Sequence, residues 1–276
     1  GVSKICLEPF DPAASTSTLA QMLSNALRRE RFAKAPVTAI LPRQMVNVRM
    51  LELPSTDFDE INDMVDLQIG KQTPYSRDEI VSGYRLVRSV REGYSRVLLA
   101  IIQRTTLRQR YHIFEEAGVE VDRMTVSTEG VMNWYNHVLA KPGEAAVVLD
   151  IDSFYSDFSV VVDGSAVFTR SILIGANHLV GEPDKWQKKF LQEVQQTLDS
   201  CKGELNRIMP DKIHVTGAGA NLPDLPDLLT EQTRLPAKAY PALMSIEKSG
   251  RLPPLDSAEY QTASLTPLLG AALLPG

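Results

Sequence analysis

The sequence predicts an α/β protein, and three observations carry that prediction. Residues 145–176 hold three apolar runs, Ala145 to Leu149, Phe158 to Val162 and Ala166 to Ile174, joined by short polar turns with Asp163-Gly164 at one tip. That pattern reads as an antiparallel meander. Residues 46–126 switch between strand-like and helix-like periodicity in the order strand, helix, strand, strand, helix, strand. From Asp184 onward, Trp186, Phe190, Val194, Leu198, Cys201 and Leu205 recur every three to four residues, one apolar stripe on a long helix.

Length and charge narrow the function. A chain of 276 residues can bury one large core or two moderate ones. A net charge of −5 argues against a general nucleic-acid binder, which needs a basic surface to neutralise phosphates. Cys6 and Cys201 make no disulfide framework, which points to a reducing cytoplasm. No run approaches the roughly 20 apolar residues of a membrane span, and nothing resembles a signal peptide.

In order, residues 2–8 read as a strand. Ser15 or Thr16 caps a helix whose apolar positions are Leu19, Met22, Leu23, Ala26 and Leu27. Pro36 to Leu41 reads as a buried strand. Val46 to Leu53 alternates, with Val46, Val48 and Met50 on one face and Leu51 and Leu53 on the other. Ser55, Thr56 and Asp57 supply caps for a helix carrying Phe58, Ile61, Val65 and Ile69. Its acidic start suits the helix dipole without any further role. Strands follow at Ile80 to Val87 and Val97 to Gln103, then a helix over Thr105 to Ala117 ended by Gly118, and a strand over Val119 to Val126. A helix over Thr128 to Leu139 leads to the Lys141-Pro142-Gly143 break. Beyond the meander, Asp184 is expected to cap the long helix over 184–207. The strand Lys212 to Thr216 then runs into Gly217-Ala218-Gly219, followed by a helix over Leu225 to Thr233. Residues 244–257 read as a loop and 264–274 as a last helix.

Candidate chemistry is concentrated at two strand ends. Asp150 and Asp152 close the first run of the meander, with Ser153 beside them, and Gly217 and Gly219 follow the later strand. Carboxylates at a strand end can hold hydrated Mg²⁺, and glycines let a backbone approach phosphate or a base closely. The same residues also serve as ordinary turn formers. His112, His137, His178 and His214 are scattered without metal-ligand spacing, and no Gly-x-Ser-x-Gly elbow is present.

Several segments, taken in order, resemble one superfamily. VRMLELPSTDFDEINDMVDLQIGKQTPYSRDEIVSGYRLV and VLLAIIQRTTLRQRYHIFEEAGVEVDRMTV are similar to strand–helix segments of PilM. VVLDIDSFYSDFSVVVDGSAVFTRSILIG resembles a second phosphate motif with its hairpin. IHVTGAGANLPDLPDLL resembles an adenosine motif, and TPLLGAALL the last helix. Together they resemble the actin-like (ribonuclease H-like) ATPase fold, in the branch holding the pilus protein PilM, the division protein FtsA and the GspL cytoplasmic domain.

The resemblance implies two lobes with an inserted 1C-type α/β subdomain at 46–126. Residues 1–45 and 127–142 would form subdomain 1A, without its N-terminal hairpin, 143–263 domain 2 with 2B reduced or absent, and 264–276 a helix returning to 1A. It implies ATP with Mg²⁺ as cofactor, Asp150 facing the metal, and Asp152, Ser153, Gly217 and Gly219 lining the nucleotide. The family's first phosphate loop would fall before residue 1, and Asp152 stands where the family has glycine. The resulting expectation is a degenerate ATPase acting as a cytoplasmic scaffold, peripheral at the inner membrane, in a type IV pilus or type II secretion platform. Its partner would be a PilN-like membrane protein, whose peptide would meet Val46, Val48, Met50, Ile80 and Tyr84. The alternative implied is an active ATPase or nucleotide switch whose first phosphate loop lies outside this chain.

Overall fold

The computed structural model describes residues 4–11, 13–32, 35–87, 92–205, 209–245 and 264–273. The chain divides into two compact units, Cys6–Val126 and Ser127–Gly276 with Gly1–Ile5.

In the first unit the chain runs α1 (Thr16–Arg29), β1 (Thr38–Leu41), β2 (Asn47–Leu53), α2 (Phe58–Gln72), β3 (Ile80–Val87), β4 (Ser95–Gln103), α3 (Arg104–Glu116) and β5 (Arg123–Val126). The alternation in β2 sets two layers. Leu53 packs with Ile61, Val65 and Ile69 of α2 and with Ile80, Val97, Leu99 and Ile101. Val46 and Val48 face the other way, against Leu41, Ile102 and partly buried Leu107, Met124 and Val126. The sheet is antiparallel in the order β2-β4-β3, so β3 is an edge strand, while β1 and β5 pair in parallel.

The caps follow the sequence. Ser15 accepts from the Thr18 amide at 3.1 Å, and Asp57 from the amides of Asp59 and Glu60 at 3.0 Å each. Two strand expectations change. Residues 4–8 form no strand, and residues 2 and 3 lie outside the described residues. The strand expected from Val119 begins only at Arg123, because its partner β1 offers four residues and the Asp122 carboxylate instead accepts from the Val37 amide at 2.7 Å.

The second unit contains α4 (Ser127–Val138), β6 (Ala145–Ile151), β7 (Ser156–Val162), β8 (Ser165–Ile172), α5 (Ala176–Gly181), α6 (Pro183–Glu204), β9 (Ile213–Gly217), α7 (Leu225–Thr233), β10 (Ala237–Ala239) and α8 (Thr266–Ala271). The sheet order is β10-β9-β6-β7-β8. The meander β6-β7-β8 is antiparallel, and β9 joins β6 in parallel, Asp150 opposite Thr216 and Ile151 opposite Gly217. Asp163 and Gly164 both adopt positive φ, +48° and +77°, the two-residue hairpin turn that matches strand twist.

Phe190, Val194, Leu198, Cys201 and Leu205 bury the α6 stripe against Val147, Leu149, Phe158 and Val160. Asp184 is not the cap expected of it. The helix opens one residue earlier, because Pro183 has its φ preset for a first helical position and no N–H to satisfy. Asp184 sits within the first turn. The short strand β10 was not anticipated. Residues 206 and 207 of the expected helix and 246–257 of the expected loop lie outside the described residues. No described helix is long and apolar enough to cross a membrane.

Candidate functional site

The parallel pairing of β6 with β9 brings the two sequence signals together, since both strands end at one place. What meets there is mostly the chain itself. Ser264, just before α8, donates its hydroxyl to Asp150, 2.8 Å from Oδ1 and 3.1 Å from Oδ2. Its amide donates to Asp152 Oδ1 at 3.1 Å. Thr266 Oγ1 accepts from the Gly217 amide at 3.1 Å and shares a hydrogen bond of 2.8 Å with the Thr216 hydroxyl.

Behind Asp150, directly across the β6–β7 ladder, stands Asp157. Its carboxylate accepts from Ser171 Oγ at 2.7 Å and Ser127 Oγ at 3.3 Å. Asp150 is buried, and that burial is the main reason its carboxyl is pushed up to about 8. The nearby Asp152 and Asp157 charges add to the rise, and the Ser264 hydrogen bond opposes it. The Tyr155 hydroxyl is likewise held above its usual range by burial, then by Asp152 and Asp157. Burial thus disfavours the ionised form of Asp150 in the folded chain.

The glycines are explained by close packing. Gly217 has φ +68°, and a Cβ there would lie 2.7 Å from Asp150 Oδ1 and 2.5 Å from the Ile151 carbonyl oxygen. A Cβ on Gly219 would meet the Ile151 side chain, 2.8 Å from its Cβ. Asp152 and Ser153 use their carbonyls to accept from the amides of Ala176 and Asn177 at 2.8 and 2.9 Å, tying the turn to α5. Gly175 allows that approach, since a Cβ there would sit 2.5 Å from the Tyr155 nitrogen. Among the described residues no group of three or more His, Cys, Asp or Glu is arranged to hold a metal ion.

Asp157, Ser264 and Thr266 belong to this site and escaped sequence reasoning. Asp157 sits in a strand with no motif of its own. Ser264 is 114 residues from Asp150, beyond any local pattern.

The candidate partner residues fare differently. Val46, Val48 and Ile80 are buried at 4%, 8% and 4% exposure, so their side chains cannot touch a partner while the core is intact. Met50 and Tyr84 are half-buried, and the Tyr84 hydroxyl donates to Asn62 Oδ1. An open groove of about 630 Å³ does run beside Tyr84, between α2 and β3.

A second buried cluster lies at the start of the same strand pair. His214 Nε2 is 3.0 Å from Glu144 Oε1, and Lys212 Nζ is 3.3 Å from the same oxygen. The His214 ring lies 5.7 Å from that of Tyr135 and 5.0 Å from that of Tyr240. Burial holds His214 below the ordinary imidazole range, although Glu144 pulls the other way. For Glu144, burial pushes upward, but the hydrogen bonds from His214 and Lys212 outweigh it and leave the carboxyl lowered.

Comparison with known proteins places this arrangement. The structure of a PilM–PilN type IV pilus biogenesis complex superposes with a TM-score of 0.76 at 16% identity, covering 96% of this chain and 88% of that one. A Bacteroides thetaiotaomicron protein of unknown function with an actin-like ATPase fold gives 0.51 at 12% identity, covering 87% and 85%. The cytoplasmic domain of EpsL, an inner-membrane component of the Vibrio cholerae type II secretion system, gives 0.49 at 12% identity, covering 95% and 84%. The fold is thus of the actin-like ATPase class. No curated protein matches the chain by sequence. The family model for the type IV pilus assembly protein PilM matches residues 12–183, well over half of the chain. The chain belongs to the PilM family.

Proposed function

We propose that the protein is a cytoplasmic scaffold of a type IV pilus or type II secretion assembly platform. It is held at the inner membrane by binding a PilN-like partner and does not turn over nucleotide. Family membership and the likeness to the PilM–PilN complex support the platform role. In this reading residues 46–126 are the 1C-type subdomain, 1–45 and 127–142 belong to 1A, 143–263 form domain 2, and 264–276 return to 1A.

The observation that favours a scaffold over an enzyme is the grip of Ser264 on Asp150 and Asp152. A triphosphate entering here would meet carboxyl groups in place of a glycine cradle, and Mg²⁺ would have to displace the Ser264 hydroxyl that already holds both Asp150 oxygens. These residues do not fit ATP and Mg²⁺, so no chemical step is assigned to them. The candidate partner surface shifts accordingly, from buried Val46, Val48 and Ile80 to half-exposed Met50 and Tyr84.

Two titrations test the reading. Calorimetry with the cytoplasmic N-terminal peptide of a PilN-like protein should give binding in the micromolar range, about −8 kcal/mol; no heat at millimolar peptide overturns the adaptor role. Calorimetry with ATP and Mg²⁺ should give none. Micromolar nucleotide binding, lost in Asp150→Ala, overturns the inactive site and favours the ATPase or switch.

A further inference from the structure

Around α5 the second unit exposes apolar side chains that its own core does not use. Phe154, Leu173 and Val180 are 57%, 74% and 57% exposed. Val180 lies on the helix and Leu173 two residues before its N-cap, Gly175. The turn that carries Phe154 is fastened to the helix start, since the Asp152 and Ser153 carbonyls accept from the amides of Ala176 and Asn177 at 2.8 and 2.9 Å. From Phe154 a line of rings runs to α6: the His178 ring is 6.4 Å from Phe154 and 4.8 Å from Trp186.

Cations surround the end of that line. The ammonium groups of Lys185 and Lys189 each lie 5.0 Å from the centre of the Trp186 ring, and Lys188 is exposed on the same helix. Glu182 takes up Lys185 at 3.0 Å. Lys188 and Lys189 have no ion-pair partner among the described residues, although Asp184 stands in the same first stretch of α6. Aromatic rings among lysine stems are amphipathic, apolar along their length and charged at the tip. Such residues settle at the boundary between lipid headgroups and acyl chains. A protein interface draws roughly 20–30 residues from each side, whereas a lipid surface can be held by a few aromatics and lysines, which is what a turn, a strand end and a short helix offer here.

We propose that this corner rests directly on a membrane surface that contains anionic lipids. Phe154 and Leu173 enter the headgroup boundary, and Lys185, Lys188 and Lys189 meet lipid phosphates. The contact is weak and reversible, with an association constant on the order of 10⁴ M⁻¹, the range of a single acyl chain. It rests on the platform reading only for placing the chain at a membrane. Lipid vesicles test it without any PilN-like protein, so either claim can fail alone.

The test sediments the full chain with vesicles of phosphatidylcholine, either alone or carrying about 30% phosphatidylglycerol. Binding to the anionic vesicles should be at least about tenfold stronger, and about 0.5 M salt should remove that preference. The double variant Lys188→Glu, Lys189→Glu should remove it too. Phe154→Ser should weaken binding about fivefold and Leu173→Ser somewhat less, with unchanged melting temperatures showing that the fold is intact. Equal binding to both vesicles, no binding at all, or binding that survives Phe154→Ser and the lysine double variant overturns the proposal. So does a soluble glutamate-rich peptide that binds as tightly and is lost in the same variants, since the occupant would then be an acidic protein.

Discussion

The end of the β6–β9 pair and the groove beside β3 invert what their residues advertise. The first holds aspartates and a Gly-x-Gly turn, the residue types of nucleotide chemistry, yet its polar atoms are spent on one another and on the start of α8. The second holds a serine, a glycine and a run of ordinary helix residues, yet it stays open, apolar and fringed by carboxylates. The contrast teaches that residue type suggests a site, but whether the chain satisfies its own polar groups decides whether that site has capacity left for a ligand.

The strongest way to break this comparison is to dislodge α8. A Cβ on Gly270 would fall on the Gly130 carbonyl of α4, and one on Gly130 would fall on the Pro267 carbonyl. Gly270→Val should therefore cost more than about 4 kcal/mol or prevent folding, read by urea denaturation. A variant of wild-type stability would mean that α8 does not sit where it seals Asp150.

Next comes the charge state of Asp150. Its folded carboxyl titrates near 8 while the unfolded one keeps the ordinary value, so the folded protein holds the extra proton between them. The stability this gives is complete below the ordinary carboxylate range and is lost as pH climbs toward and past about 8. Asp150→Asn should remove that loss, about 1.4 kcal/mol for each pH unit of the window, so the gain is several kcal/mol at pH 9 and little at pH 4. Melting temperatures across pH measure it, and an unchanged alkaline slope would sink the sealed-site account.

A smaller effect belongs to the seal itself. Ser264→Ala strips a buried carboxyl of its hydroxyl partner and should cost about 1–2 kcal/mol by chemical denaturation. If it costs nothing, the Ser264 contact is incidental. At the other end of the strands the sign reverses. His214 is held low by burial, so the unfolded chain takes up the proton first as pH falls. Its contribution is full above the ordinary imidazole range and is lost below it, which His214→Gln should relieve by about 1 kcal/mol near pH 5. The groove should be the least sensitive region. Phe58→Ser, at an exposed rim, should change stability by less than about 0.5 kcal/mol, and a large loss would mean that the groove is core.

Much of the fold was legible because its cues are local. Ser15 and Asp57 cap helices beside them, Asp163-Gly164 can make a tight hairpin by itself, and the α6 stripe is repeated within one helix. Where a neighbour sets the limit, the reading slipped. β5 is cut short by the length of β1, and β10 exists because β9 offers it an edge. At the candidate site, Asp150, Asp152, Gly217 and Gly219 do converge, as their strand ends suggested. Ser264 and Thr266 were illegible, because they lie far along the chain from the strand ends they bond and nothing within a few residues of either points there. Asp157 is close in sequence, but only the register of the β6–β7 ladder sets it opposite Asp150.

The sequence alone determined the α/β class, the helix and strand order and the PilM likeness, because periodicity, caps and turn residues act over a few neighbours. Tertiary structure decided which polar atoms find partners. It buried Val46, Val48 and Ile80, gave Asp150 the Ser264 hydroxyl, and left the flank of β3 open. Burial and hydrogen bonding depend on which distant segments come together, and that is fixed only when the whole chain is packed.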